Sequence, residues 1–244
     1  MSPAEPVSKT LNAQDRVFVA IDTPDLDRAL RLTEELAGLV GGIKLGKEFF
    51  TANGPEGVQR LAEHRLPIFI DLKYHDIPNT VAGAVRSTLP LKPYMLNVHA
   101  TGGEAMMAAA VAAAAEAEMV RPLVLAVTVL TSLSDEDLAA VGVSGRVIEQ
   151  VVRLAKLAKK NGLDGVVCSA KECMSIRGAC GPDFRLVVPG IRPSWTERGD
   201  QKRVVTPAEA LALGADFLVI GRPITGADSP SDAAKRIVEE LAAA

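Results

Sequence analysis

"PIFIDLK", residues 67–73, is an apolar run that closes on an acid and a base. Seven other short runs share its apolar, β-branched character: "RVFVAID" (16–22), "GGIKLG" (41–46), "YMLNVHA" (94–100), "PLVLAVTVL" (122–130), "GVVCS" (165–169), "FRLVVPG" (184–190) and "FLVIGR" (217–222). Most do not alternate with polar residues, which is the pattern of strands covered on both faces. Helical patterns fill the gaps. In 23–39, Leu26, Leu30, Leu36 and Leu39 share a face, and Thr23-Pro24 is expected to supply the cap and the first-turn proline. Segment 206–213 opens on a Thr206/Glu209 capping box, and 229–242 on Ser-Pro. The alanine-rich stretch 104–118 is a helix by propensity. Strand alternating with helix eight times in 244 residues predicts an α/β chain, a single-domain (β/α)8 TIM barrel over 16–244, behind a flexible N-terminal tail at 1–15. A doubly wound open sheet is the alternative, but no GxGxxG follows the first strand.

Bulk properties narrow the function. The net charge is −3 with no long basic run, which argues against a nucleic-acid partner, since phosphate backbones are bound through clustered Lys and Arg. The start carries no cationic flank followed by an apolar core, and the longest uncharged run (105–115) is too short to span a bilayer. A cytoplasmic protein without membrane contact is expected. Cys168, Cys173 and Cys180 lack CxxC spacing and fit reduced thiols. His64, His75 and His99 are scattered, so no metal site is expected from them.

The charges gather where a barrel does chemistry. Strand one ends in Asp22, strand two holds Lys44 near its end, and strand three ends in Asp71 and Lys73. Active sites of barrels lie at the C-terminal ends of the strands, so these residues converge on one mouth. Asp71 and Lys73 are two apart and share a strand face, where they would meet Lys44; Asp76 lies just beyond on the loop. Alone, an acid–base pair at a strand tip reads as a solvated ion pair worth about 0–1 kcal/mol. Three consecutive strands ending in ionisable residues favour a site. Two unit charges ~4 Å apart interact by about 4 kcal/mol at an effective dielectric near 20, so Lys73 between Asp71 and Asp76 is held as an ammonium. That suits stabilisation and protonation of a carbanion rather than Schiff-base chemistry. On the other side of the mouth, "VVPGIRP" and "VIGRPIT" end strands seven and eight. Loops there often bind phosphate, with Gly190 and Gly221 allowing close approach and Arg222 adding a two-pronged contact. The polar segment 192–203 is long for its place and reads as a lid.

These residues resemble the orotidine 5′-monophosphate decarboxylase family. The resemblance rests on "AID" (20–22), "GIKLG" (42–46), "DLKYHDIPNT" (71–80), "VHATGG" (98–103), "VLTS" (129–132), "VVPGIRP" (187–193) and "VIGRPI" (219–224), in that order along the chain. The DxKxxDIPNT string is the specific element, and the glycine-rich strand ends support it. The resemblance implies decarboxylation of orotidine 5′-monophosphate to UMP and CO2 without metal or cofactor, the last step of de novo UMP biosynthesis. It makes Lys73 the acid that protonates C6 and places Asp71 beside the departing carboxylate. Asp76 from the partner subunit would complete the Lys44–Asp71–Lys73–Asp76 array, making a homodimer with shared active sites. Asp22, Lys44 and Thr80 would contact the ribose, Thr80 across the dimer. Thr131 and Ser132 would meet the pyrimidine. Arg192, Gln201, Gly221 and Arg222 would grip the phosphate region, with Pro189 among the substrate contacts.

Two other functions compete. Barrel decarboxylases and synthases acting on 3-keto-L-gulonate 6-phosphate or hexulose phosphates look similar at DxKxxD, but use Mg2+ and carry an acid where this chain has Lys44. A non-catalytic nucleotide binder would keep the phosphate grip without needing so many charges at one mouth. His75 is expected to support the motif or be exposed, His99 to be a hydrogen-bonded neighbour of the site, and Tyr74 and Trp195 to pack. The three cysteines are expected to behave as small buried hydrophobes.

Overall fold

Inward and outward residues alternate along all eight strands, and that alternation builds two cores. The computed structural model describes residues 11–195 and 205–244. The strands are β1 (Val17–Ile21), β2 (Gly42–Gly46), β3 (Ile68–Tyr74), β4 (Met95–His99), β5 (Leu123–Val127), β6 (Gly165–Val167), β7 (Arg185–Pro189) and β8 (Phe217–Ile220). All neighbours are parallel, and β1 pairs with β8 to close a (β/α)8 barrel. Between the strands run α1 (Leu26–Leu36), α2 (Lys47–Ala62), α3 (Pro78–Thr88), α4 (Gly103–Ala114), α5 (Asp135–Ala140), α6 (Val147–Lys160), α7 (Cys173–Cys180) and α8 (Pro207–Ala212), and α9 (Arg222–Thr225) and α10 (Pro230–Ala242) follow β8.

Val17, Val19 and Ile21 of β1, and their counterparts on the other strands, face the helices and form one large apolar shell. Phe18, Ala20, Phe69, Met95, Leu125, Val187, Phe217 and Val219 fill the barrel from inside. Phe18 and Phe217 meet edge to face with centroids 5.6 Å apart, and Phe18 also stacks on Tyr94 at 5.9 Å. Leu11 packs against this inner cluster and Ala13 against the outer one, so packing begins ahead of β1. The lower layers are therefore dry and aromatic. Towards the C-terminal strand ends the inner positions turn polar, with Lys44, Asp71, Lys73 and Asn97 in place of apolar side chains.

Local signals explain most helix starts. Thr206 and Glu209 form the expected capping box of α8, and Ser229 caps α10 through the Asp232 N–H. The start of α1 differs from expectation. Asp25, not Thr23, is the cap: its side chain accepts from the Arg28 N–H at 3.0 Å, while Thr23 Oγ1 accepts from the Asp25 N–H. Aspartate caps at least as well as threonine, and Pro24 lies outside the helix.

The opposite end of the barrel is tied by charge. Arg177 of α7 donates to the carbonyls of Phe184 (2.6 Å), Pro182 (2.9 Å) and Gly214 (2.8 Å) and pairs with the Asp216 carboxylate. Asp216 also accepts from the Leu186 N–H at 2.8 Å and pairs with Arg185. One guanidinium thus joins the entries to β7 and β8. Arg177→Ala leaves a mostly buried carboxylate short of a partner, and losing one member of such a pair costs about 3 kcal/mol. The expected result is a fall in Tm of roughly 6–12 °C by calorimetry.

The segment after β7 returns to its own starting point. Ile191 and Val205 form an isolated parallel bridge, with the Arg192 N–H donating to the Val205 carbonyl at 3.0 Å. Trp195, at the near side of this segment, packs against the outer shell and has the Arg236 guanidinium 4.4 Å above its ring. Most of the expected lid, including Gln201, lies outside the described residues.

Candidate active site

Three consecutive strands deliver the charged groups. Asp22 follows β1 directly, Lys44 lies in the middle of β2, and Asp71 and Lys73 close β3. Lys44 Nζ lies 3.1 Å from Asp22 Oδ1 and 3.4 Å from Asp71 Oδ2, and Lys73 Nζ lies 2.7 Å from Asp71 Oδ1. Each oxygen of Asp71 thus faces its own ammonium group. The Lys44 and Asp71 side chains are only 10% and 11% exposed, a depth at which unpaired charges would be costly. Mutual pairing compensates that cost. Burial pushes the Asp71 carboxyl up, but the Lys44 and Lys73 charges and the hydrogen bonds from Lys73 and Asn97 outweigh it, and the net displacement is below the ordinary carboxylate value. Gly46 leaves room for the pair at the β1–β2 edge: a Cβ there would stand 3.0 Å from Lys44 Nζ and 3.2 Å from Asp22 Oδ1.

The end of β3 is not a regular strand. The ladder between β3 and β4 runs in register through Ile70↔Leu96 and resumes at Tyr74↔Val98, so residues 71–73 face Asn97 alone. Lys73 takes a left-handed backbone conformation with φ of 54°, uncommon for a residue with a side chain. Its N–H is met by Asn97 Oδ1 at 2.8 Å, and Asn97 Nδ2 donates to Asp71 Oδ1 at 2.7 Å. Sequence reasoning passed over Asn97, whose signal was one carboxamide inside the otherwise apolar run 94–98.

Beside this array lies a cavity of about 200 Å³, open to solvent. Lys44, Asp71 and Lys73 form its polar wall, with Phe69, Val127, Val167, Cys168 and Val219 as floor and Thr131 and Pro189 on the rim. It is apolar except where the charges enter. Ser132, exposed, follows Thr131 in the loop after β5. Arg192 is buried just past β7, and Gly221 and Arg222 follow β8 directly. Gly190 has φ of 78°, a conformation that glycine adopts freely. At Gly221 an added Cβ would make only ordinary contact with Ala20, at 3.5 Å. Packing among the described residues therefore does not demand a glycine at position 221.

Not every expected residue joins the cluster. Asp76 is exposed, and its Oδ1 accepts from the neighbouring Ile77 N–H at 2.6 Å; Thr80 is exposed on α3. Residues 75–80 form a continuous exposed edge beside the site, with Ile77 67% exposed. Lys44, Asp71 and Lys73 therefore meet within this chain and Asp76 does not join them, because the chain turns outward after Tyr74. His75 is exposed, as expected, and its ring lies 5.5 Å from that of half-buried His99. Burial, then the charges of His75, Lys47 and Lys73, hold His99 below the usual histidine value. Tyr74 packs against the outer shell, and all three cysteines are buried as free thiols. A hydrogen bond with Cys173, and then burial, pushes Cys168 well above the usual thiol value, so it faces the cavity as a neutral thiol.

Comparison with known proteins places this geometry in context. The family model described as Orotidine 5'-phosphate decarboxylase / HUMPS family matches residues 15–237. The chain is 56% identical over 233 residues to the orotidine 5'-phosphate decarboxylase of Rhodospirillum rubrum, covering 93% of this chain and 94% of that protein. It is 52% identical over 236 residues to the Moorella thermoacetica protein of the same name, covering 95% and 94%. Among solved structures, the Lactobacillus acidophilus orotidine 5'-phosphate decarboxylase superposes with a TM-score of 0.83 at 35% identity, covering 93% of this chain and 99% of that one.

Proposed function

Because the chain belongs to the orotidine 5'-phosphate decarboxylase / HUMPS family, we propose that it decarboxylates orotidine 5′-monophosphate to UMP and CO2 in UMP biosynthesis, in the cytoplasm and without metal or cofactor. The observation that carries this reading is an Asp71 carboxylate pinned between the Lys44 and Lys73 ammonium groups on the wall of an otherwise apolar cavity. In the reaction the C6–carboxylate bond breaks, CO2 leaves, and the electron pair stays on C6. A cation held at that position stabilises the developing charge and then delivers a proton to it. Lys73 does both. Asp71 fixes the ammonium and lies beside the departing carboxylate, and the deprotonated lysine regains its proton from water.

The metal-free part of the reading rests on Lys44. Its ammonium lies within 3.4 Å of both Asp22 and Asp71, between the two carboxylates that a divalent cation would bridge. An ammonium there repels a metal and stabilises the pair by itself. Asp22 and Lys44 then face the ribose hydroxyls, and Thr131 and Ser132 the pyrimidine. Pro189, Arg192, Gln201, Gly221 and Arg222 surround the phosphate. Phosphate binding far from C6 contributes energy that orients the ring for reaction.

Asp76 and Thr80 serve the site of a second copy. The exposed edge 75–80, with Ile77 at its centre, supports a homodimer in which each subunit completes its partner's cavity. The direct test follows the loss of substrate absorbance by chelator-treated protein. Undiminished turnover in EDTA is expected. Turnover that appears only with Mg2+, and on a sugar phosphate instead, would replace this reading with that of the metal-dependent relatives. Tight UMP binding without turnover of either substrate would leave a nucleotide-binding protein.

A further inference from the structure

Asn97 holds together the two residues on which the proposed chemistry depends. It is fully buried, and both ends of its carboxamide are committed. The oxygen accepts the Lys73 N–H at 2.8 Å, and the nitrogen donates to Asp71 Oδ1 at 2.7 Å. Only one orientation of the amide satisfies this set, because a backbone N–H needs an acceptor and an ionised carboxylate needs a donor. The same Asp71 oxygen receives Lys73 Nζ at 2.7 Å. Asn97, Asp71 and Lys73 thus close a ring that runs from the Lys73 backbone to its own ammonium group.

The ring repairs a break in the sheet. Opposite residues 71–73 the β4 strand offers one residue, so the ordinary ladder cannot take up the Lys73 N–H. A buried donor without an acceptor is strongly disfavoured. The Asn97 side chain supplies the missing acceptor and so supports the left-handed turn at Lys73, where φ is 54°. An apolar residue of similar size would fill the same space but leave that turn without its acceptor.

We propose that Asn97 is a positioning residue of the decarboxylation: it fixes the Lys73 turn and orients the Asp71 carboxylate, so that the ammonium stands at a defined place over the cavity. This rests on the reading in which Lys73 is the proton donor. It touches neither the substrate nor the reacting carbon and acts through its two neighbours. Its removal therefore affects the chemical step more than substrate binding.

The experiment measures kcat and KM separately for wild type, Asn97→Ala and Asn97→Asp with orotidine 5′-monophosphate, each across pH. Asn97→Ala is expected to lower kcat by about 10²-fold while KM moves by less than about threefold, as misplacement of a reacting group does. Asn97→Asp keeps the acceptor for the Lys73 N–H but sets a second carboxyl against Asp71. Two such groups share one proton. Protonated, the new side chain can donate to Asp71 as the amide did; ionised, it repels it. Its kcat relative to wild type should therefore recover as pH falls and decline as pH rises. Dividing by the wild-type profile removes contributions from Asp22, Lys44, His75 and His99 around the same mouth. A kcat within about threefold of wild type for Asn97→Ala, or a flat ratio for Asn97→Asp, overturns the proposal. If Asn97→Ala does not fold, the pH ratio of Asn97→Asp decides. Absence of turnover in the wild type itself would instead overturn the functional reading.

Discussion

Replacing Lys73 with alanine is expected to lower kcat by at least ~10⁴-fold, because the side chain is asked for two contributions at once. Proton donation by a placed acid supplies about 10²–10⁴-fold, and a cation at a developing charge about 10²–10³-fold. Substrate binding should change far less. Lys73 lies at the partly exposed end of β3, beyond the apolar layers that Ile68 and Ile70 pack outside the barrel and Phe69 inside it, so the barrel itself survives the change. A UMP titration of the variant confirms a formed cavity. Lys73→Arg separates the two contributions. It keeps the positive charge but does not surrender a proton, so it should remain strongly impaired. A Lys73→Ala variant within tenfold of wild type would end the assignment of Lys73 as the acid.

The second large effect concerns Asp76. Within one subunit this exposed carboxylate bonds only its neighbour's N–H among the contacts described above, so Asp76→Ala should fold normally. If Asp76 serves the partner's cavity, its loss removes a charge facing Lys73 and should lower kcat by about 10²–10³-fold. The decisive version uses both defects. On the shared-cavity reading, Lys73→Ala and Asp76→Ala homodimers would each be nearly inactive, but a mixed dimer would contain one cavity with native Lys73 and native Asp76. Random reassortment makes half the dimers mixed, so about a quarter of all cavities regain native composition. Equimolar co-expression should give roughly that fraction of wild-type activity. Activity no greater than the sum of the two variants would show that each cavity is complete within its own subunit.

Much of this was legible in the chain. The eight strands announce themselves because both faces of each are covered, leaving continuous apolar runs that end in charge. The meeting of Lys44, Asp71 and Lys73 followed from strand periodicity and barrel closure alone. What escaped reading depends on geometry that no sequence period carries. The register slip opposite Asn97 turns a lone carboxamide into a structural partner, and nothing in "YMLNVHA" marks it. A lysine gives no sign of a positive φ. Arg177 looks like a solvent-facing residue of an amphipathic helix, because its acceptors come from chain segments up to 39 positions away. Asp76, which the resemblance sets against a partner's array, is turned outward after Tyr74 and stands apart from Lys73 in this chain.

The bridge between Ile191 and Val205 has a consequence for how this protein can vary. Whatever chain lies between those two residues departs and re-enters at a single hydrogen-bonded point. Its length is thereby uncoupled from the spacing of β7 and β8. Doubling a closed loop costs only about 0.6 kcal/mol of closure entropy. Insertions or deletions after Trp195, whose ring packs on the outer shell, should be tolerated by the barrel, as with an exchangeable part on a fixed mount. Selection, or a designer, can rework the length of this connection without renegotiating the barrel on which it is mounted.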